Sequence, residues 1–527
     1  MQQALREIID ELKSKDGLTK KDLQKIKFKV TRKYNLGYIP SNSDIISQLK
    51  EEEWEKLIPI LRRKATRALS GVNVVAVMTK PLKCPHGRCA FCPGGPENDS
   101  PQSYTGHEPA AMRGAQNAFD PFDQVRSRVE QLRAIGHVVD KIDLIVMGGT
   151  FPASPTDYQQ WFMKGCLDAI TMKSSANLNE AKLNAETSEI RNVGITFETR
   201  PDHLNPRDID NILELGGTRV EIGVQNVYDD IYRLVDRGHT VQNVIDGTRI
   251  MKNSGLKVCY HMMPGLPGSN FDRDLEGFKV IFNNPQFKPD MLKIYPTLVV
   301  KGTRLYDWWK EGRYEPFTTE DGVSLISKVK QMIPPWVRVM RIQRDIPLHQ
   351  IEAGVTKSNL RQLVKNKLVE SGSHCNCIRC REVGHRSREG IDVDEDSLDI
   401  IHRCYEASDG IEEFISAEDK NQTLIGFLRL RMPGENPYRY EITFRTGLIR
   451  ELHVYGEMTP VGEAAQDWQH QGWGEKLLKE AEKTALEIYD MNKMVIMSAL
   501  GTKKYYTRLG YQKEGVYVSK NLKIPNN

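Results

Sequence analysis

Nowhere in the 527 residues does an apolar run approach the ~20 residues that a membrane-spanning helix needs. The longest strongly apolar stretch is "VNVVAVM", residues 72–78, and the polar opening "MQQALREIIDELKSK" lacks the apolar core of a secretory leader. Both absences predict an intracellular, cytoplasmic chain without a membrane partner. Internal repeats and low-complexity tracts are missing too, which leaves an ordinary globular chain long enough for two to four domains. Cysteine is scarce, nine in all, and bunched as Cys84, Cys89, Cys92 and as Cys375, Cys377, Cys380. Such bunching predicts metal ligation in a reducing compartment rather than a disulfide framework. Strong net charge is absent as well, at +4, yet the cations are unevenly placed. Lys20, Lys21, Lys25, Lys27, Lys29, Arg32 and Lys33 crowd one segment, followed by Arg62, Arg63, Lys64 and Arg67. That concentration is a polyanion footprint.

What is present divides the chain by rhythm. Residues 1–72 predict a small basic helical domain of three segments with apolar residues at helical spacing, Thr19 and Ser43 being placed as caps. Over 73–345, six β-rich runs alternate with helical segments: "NVVAVMT", "DLIVMGG", "GITFET", "RVEIGVQ", "KVCYHMM" and "MLKIYPT". Parallel neighbours need crossover connections, so six such units predict a partial (βα)6 TIM-like barrel with its chemistry at the carboxyl ends of the strands. Residues 346–392, with "SGSHCNCIRCREVGHRSREG", read as a metal-pinned linker, and 393–527 as a separate α+β domain on a mostly antiparallel sheet. The fold class is therefore multidomain α/β. Cys166 and Cys259 read as core residues, and the pair Glu412 and Glu413 as solvated.

The stretch "KCPHGRCAFCPGG", 83–95, places Cys84, Cys89 and Cys92 in a Cx4Cx2C spacing directly after the first strand. Three thiolates can hold zinc if His86 or another group supplies a fourth ligand. They can also hold a cube of four irons with one iron left open. Structural zinc knuckles usually bring two paired ligand clusters, whereas this glycine-rich cup stands alone at the head of a βα series.

In that position the region resembles the radical S-adenosylmethionine enzymes. The resemblance implies a [4Fe-4S] cluster on Cys84, Cys89 and Cys92 and S-adenosylmethionine on the open iron, with Gly148 and Gly149 of "VMGGT" where backbone approaches the methionyl amino group. With "SYTGHEPAAMR", "DPFDQVRSRVEQL", "DLIVMGGTFPA", "GITFETRPD" and "MPGLPG" added, essentially the whole chain resembles the catalytic third subunit of the Elongator complex in its stand-alone archaeal form.

The C-terminal part carries "QHQGWG", a Q-x-x-G-x-G pattern opening a helix, where backbone N–H groups make an anion site. It resembles the coenzyme A loop of GNAT acetyltransferases. That resemblance implies acetyl-CoA on Gln469, Gly472, Trp473, Gly474 and Glu475. It also implies that Glu451, Leu452, His453 and Val454 of "ELHVYG" pair with pantetheine amides, with Tyr505 and Tyr506 of "KKYYTRLGY" near the thioester sulfur.

Two such cofactors on one chain make chemical sense for uridine. Its carbon 5 is nucleophilic, so an acetyl enolate has no polar route to it, whereas a carbon radical does. The Elongator resemblance accordingly implies carboxymethyluridine formation at the wobble position of tRNA. It also implies a catalytic lysine beside the barrel site, matching Lys141, and a site that closes when substrate is present, because water would quench a radical. The basic N-terminus, with Phe28 and Tyr34 interleaved, then suits tRNA phosphate contacts, and about six of them would make affinity fall steeply with salt. Cys375, Cys377 and Cys380 suit zinc, the fourth ligand being His374, His385, His402 or Cys404, and the site would brace the barrel against the acetyltransferase domain. The chain is expected as a monomer or homodimer, with Elongator-type subunits as possible partners. A lysine acetyltransferase of histone-like proteins with a structural cluster is the alternative, and it requires an acidic base near Tyr506. A tRNA-binding scaffold without catalysis would leave both cofactor loops unexplained.

Overall fold

A computed structural model of the chain describes residues 1–62, 71–435, 437–456 and 472–522. Its N-terminal helices are α1 (Gln2–Lys13), α2 (Lys20–Lys33), α3 (Asn42–Ile46) and α4 (Glu51–Leu61). Thr19 caps α2 and Asp22 returns the bond to its backbone. The third expected helix is broken in two, and its cap is Ser41 with Asp44, not Ser43, which lies inside α3. The break follows from a second start signal: Glu53 accepts from the Lys50 N–H at 2.9 Å and is itself buried between Arg6 and Lys13.

The central sheet contains β1 (Asn73–Met78), β2 (Lys141–Met147), β3 (Arg191–Thr199), β4 (Arg219–Gln225), β5 (Lys257–Met262) and β6 (Met291–Ile294). β7 (Val299–Val300) leaves it to pair with β9 (Ile351–Ala353), while β8 (Arg338–Arg341) joins β6 as a seventh parallel strand. The seventh strand went unread because "RVMR" is four residues long and half charged, too short for a period-two signal. Strand order follows chain order, β1 through β6 and then β8, and every neighbour pair is parallel, so the sheet is an open barrel with its ends at β1 and β8.

The C-terminal sheet has the order β10 (Asp399–Ala407), β11 (Gly410–Glu418), β12 (Leu424–Met432), β13 (Thr446–Val454), β14 (Lys493–Ile496), β16 (Tyr517–Asn521), β15 (Gln512–Glu514). Only β13 and β14 pair in parallel. β10 escaped the sequence reading because "DIIHRCYEA" is an edge strand with mostly polar or half-exposed positions. Cys166 and Cys259 are fully buried, as expected. Glu412 and Glu413 are not solvated: Glu412 is 1 % exposed and bonds Arg431 and Arg450, and Glu413 accepts from the Tyr489 hydroxyl at 2.6 Å. A sequence pair of acids on a strand alternates faces, and here both faces are covered. Among the described residues no helix is long and apolar enough to cross a membrane.

Candidate active site

The cysteine loop leaves β1 where the Thr79 N–H bonds Met147 of β2. It carries Cys84, Cys89 and Cys92 to the wall of a cavity of about 680 Å³ that includes the carboxyl ends of the barrel strands and extends along β1 as far as Asn73. The His86 ring lies between two thiols, Nδ1 at 3.1 Å from Cys84 Sγ and Nε2 at 3.1 Å from Cys89 Sγ. Burial, with Arg200 and Arg237 nearby, pushes His86 down to about 4, so the ring is neutral. Arg237 donates to Cys89 Sγ at 3.5 Å and Gln102 to Cys92 Sγ at 3.0 Å.

This donor set fits an iron–sulfur cluster. Among the described residues Cys375, Cys377 and Cys380 have ligand atoms within 4.8 Å of one another, but Cys84, Cys89 and Cys92 do not form such a group. Thiols spread round a cavity wall suit a multi-iron cube better than one tetrahedral ion, and the buried guanidinium of Arg237 balances thiolate charge. Gly148 and Gly149 line the same end of the barrel. Gly148 has φ +126°, and a Cβ there would lie 2.0 Å from Thr79 Oγ1, so only glycine lets β2 turn here.

Deeper in the cavity stands a polar set that the sequence reading missed. Glu198, Glu221, His261 and Lys293 come from β3, β4, β5 and β6, with Glu198 paired in register to Glu221 and His261 to Lys293. Lys293 and His261 both bond Glu221, the latter at 2.8 Å, and the Tyr104 hydroxyl donates to Glu198 at 2.6 Å. Burial alone would raise the Glu221 carboxyl, but Lys293, His261 and Arg219 overcome it and hold it well below the carboxylate range. The legible signal was an ionisable residue inside each of four largely apolar strands.

Lys141 is elsewhere. It opens β2 opposite Arg191, at the amino end of the barrel, and does not line the cavity. Six residues of strand separate it from Met147, roughly 20 Å at strand rise. A residue just before a strand sits on the rim opposite the carboxyl-end site. The lysine within the cavity is Lys293.

In the second domain, the β13–β14 ladder ends at Ile449↔Ile496 and does not run on beside Glu451, Leu452, His453 and Val454. Glu451 accepts from Arg429 at 2.9 Å, and burial pushes His453 down to about 4. Gly472, at φ +79°, caps the helix Trp473–Lys483, whose first turn holds Glu475. A Cβ on Gly474 would stand 2.9 Å from Tyr505 Oη, so glycine brings that hydroxyl to the helix start. The two tyrosines part company: Tyr505 is 40 % exposed, whereas Tyr506 belongs to the core. Gln469 lies outside the described residues, as do Arg63, Lys64 and Arg67.

At the linker, the three thiols of Cys375, Cys377 and Cys380 converge, and Lys330 Nζ stands 3.4 Å from Cys380. Each proposed fourth ligand is engaged or turned out. His385 meets Glu382 at 3.1 Å, His402 meets Glu480 at 3.3 Å, Cys404 meets Tyr489 at 3.6 Å, and His374 is exposed. In the N-terminal region Lys20, Lys21, Lys25, Lys29, Arg32 and Lys33 are exposed around Phe28, with Lys29 paired to Glu11 and Lys33 to Glu7. Lys27 is the exception: it is 5 % exposed and donates to Asn42 Oδ1 at 3.0 Å, facing the helix packing instead of phosphates.

The chain matches four family models: the ELP3 N-terminal domain over 1–69, the Radical SAM superfamily over 81–278, the Radical_SAM C-terminal domain over 289–370 and the Acetyltransferase (GNAT) family over 382–511. It is 49% identical over 526 residues to a protein of Methanocaldococcus infernus named tRNA uridine(34) acetyltransferase, covering 98% of each chain. It is 44% identical over 517 residues to Elongator complex protein 3 of Homo sapiens, covering 95% of this chain and 93% of that one. The solved structure of Methanocaldococcus infernus Elp3 with an N-terminal deletion superposes with a TM-score of 0.77 at 45% identity, covering 86% of this chain and 100% of that one. With a three-cysteine barrel and an acetyltransferase sheet in one chain, and likeness along nearly its whole length, the protein belongs to the Elongator complex protein 3 family.

Proposed function

We propose that the protein modifies carbon 5 of the wobble uridine of tRNA, using S-adenosylmethionine and acetyl-CoA to install a carboxymethyl group. The observation that carries this reading is the convergence of Cys84, Cys89 and Cys92 on a cavity inside a barrel packed against an acetyltransferase sheet. In this reading residues 1–72 position the RNA, 73–345 hold the radical site, 346–392 form the linker with its thiol cup, and 393–527 bind the coenzyme.

Cys84, Cys89 and Cys92 would hold a [4Fe-4S] cluster, which when bound supplies the electron that cleaves S-adenosylmethionine. The chain's own groups do the rest of the preparation. Arg237 and Gln102 orient the thiols, the neutral His86 fills the space between two of them, and Gly148 keeps the strand end clear of side chain. Lys293, fixed by Glu221, presents a cation to the cavity next to the neutral His261, whose pKa burial lowers. At the other site Gly472–Glu475 offer helix N–H groups to the pyrophosphate and Tyr505 its hydroxyl to the thioester end. Cys375, Cys377 and Cys380 would hold a zinc ion at the linker.

The test is anaerobic. Reconstituted protein receives S-adenosylmethionine, dithionite, tRNA and acetyl-CoA labelled on its methyl group, and the tRNA is digested. Labelled carboxymethyluridine that disappears with Cys89→Ala supports the reading. Unlabelled uridine alongside an acetylated histone-like peptide would replace it with protein acetylation. Among the described residues Glu475 is an acid near the tyrosine pair, and Lys479 engages it at 2.8 Å.

A further inference from the structure

The proposed chemistry consumes electrons from outside the chain, and the cavity must be filled by cofactor and nucleotide. A protein-borne electron has to arrive through the outer side of the cysteine loop, because electron tunnelling falls off steeply with distance.

That outer side has a defined construction. Arg88, exposed between Cys84 and Cys89, donates Nε to the Cys92 carbonyl at 3.1 Å and Nη2 to the Gly302 carbonyl at 3.2 Å. Arg304 returns a bond to the Arg88 carbonyl at 3.3 Å, and the Leu305 N–H bonds the Ala90 carbonyl at 3.0 Å. The segment "KGTRLYDWWKEGR", 301–313, is thus stitched to the loop. Its Tyr306, Trp308 and Trp309 pack against the apolar cluster that contains Cys89, Phe91 and Cys92. Surface aromatics and ligand cysteines are therefore in one continuous packed path.

The same face is basic. Arg88, Lys301, Arg304, Lys310 and Arg313 are exposed on it, against Asp236, Asp307 and Glu311. Arg304 and Arg313 are offset by Asp236 and Glu311, at 2.6 and 2.5 Å. Arg88, Lys301 and Lys310 have no carboxylate partner among the described residues. None of these groups lines the central cavity.

We propose that the face formed by Arg88 and residues 301–313 is the docking surface for a small acidic one-electron carrier protein bearing a flavin or iron–sulfur centre. This inference rests on the radical reading above. In the step itself one electron leaves the reduced carrier and arrives at the cluster, with no bond made or broken. An RNA strand fits the face less well. Lys310 lies 4.8 Å from the Trp309 ring centroid and Arg313 5.5 Å from that of Trp308, so the chain's own cations occupy the ring faces on which bases would stack. Complementary charge at such a rim governs association rate and its salt dependence.

The test uses reduced flavodoxin, an acidic flavin carrier, on the full chain and on a Lys301→Glu, Lys310→Glu variant. Anaerobic stopped-flow follows bleaching of the reconstituted cluster, with dithionite, a small anion that needs no docking face, as the reductant in parallel. Calorimetry measures oxidised flavodoxin binding to the cluster-free chain. The variant is expected to be reduced by flavodoxin at least about tenfold more slowly and with a weaker salt dependence. Its reduction by dithionite should change far less, and flavodoxin binding to the cluster-free variant should be weakened. An unchanged flavodoxin rate overturns the proposal. So does a variant that loses tRNA affinity while keeping that rate, because the face is then an RNA surface. If the wild-type protein, reduced by dithionite, fails to cleave S-adenosylmethionine, the radical reading fails instead, whatever flavodoxin does.

Discussion

Arg450 of the acetyltransferase sheet grips Asp290 of the barrel with both guanidinium arms, at 2.7 and 2.5 Å, and neither side chain reaches solvent. Glu412 accepts from Arg450 at 2.8 Å, Lys252 stands 3.4 Å from Asp290, and Arg429 stands 3.6 Å from it. Burying a charge network costs desolvation that its partners offset only when all are present, so removing one leaves the others exposed to that cost. Arg450→Met is therefore expected to destabilise the chain by about 3–5 kcal/mol. Calorimetry should show a lower melting temperature and separate transitions for the two sheets. A single undisplaced transition would mean that apolar packing, not this network, joins them.

The close approach of Gly474 to Tyr505 makes a second prediction. Gly474→Ala forces a Cβ against the hydroxyl, and acetyl-CoA affinity should drop, read by calorimetry on the cluster-free protein. Adding Tyr505→Phe removes the obstructing oxygen, so the double variant should recover part of the affinity lost in Gly474→Ala. If it does not, the alanine acts through the helix start alone.

The two lysines of the barrel should behave oppositely. Lys293→Met deletes the cation next to the reacting groups and should lower product formation by about a hundredfold or more. Lys141→Met, on the far rim, should leave the rate close to wild type. Equal losses would return Lys141 to the site.

Among the N-terminal cations, Lys21→Glu with Arg32→Glu should weaken tRNA binding and reduce the slope of log affinity against log salt by about one per lost phosphate contact. Lys27→Ala should instead lower thermal stability with little change in that slope, because Lys27 serves Asn42. Filter binding across a salt series separates the two.

His453 sets a pH dependence. Its pKa is pushed down to about 4 by burial, below the usual ~6.5 of an unfolded histidine. A depressed folded pKa contributes stability that is present above about pH 6.5 and lost as pH falls through 4. The melting temperature of His453→Gln should fall less than wild type between those values, and parallel curves would remove the histidine as the cause.

The cysteine spacing, the alternation of strand and helix and the glycine loop are local properties, written in a dozen residues or fewer each. The chain by itself therefore determined the class of the barrel, the second α+β unit and the cofactors to look for. Thr19 with Asp22 and the core positions of Cys166 and Cys259 were readable for the same reason: capping and apolar burial depend on near neighbours and side-chain type. Tertiary structure decided what depends on which ends and faces meet. Period two places a lysine on a strand but not on the end where the cavity opens, so the chain alone did not show that Lys293 lines the cavity and Lys141 does not. Period 3.6 marks α2 as amphipathic but does not say that α3 covers Lys27. An acid in "IEEFIS" looks solvated until Lys252, on the distant helix Val241–Asn253 of the barrel, and Arg450, two strands over in its own sheet, both reach it. Strands such as "RVMR" exist only because β6 offers them an edge.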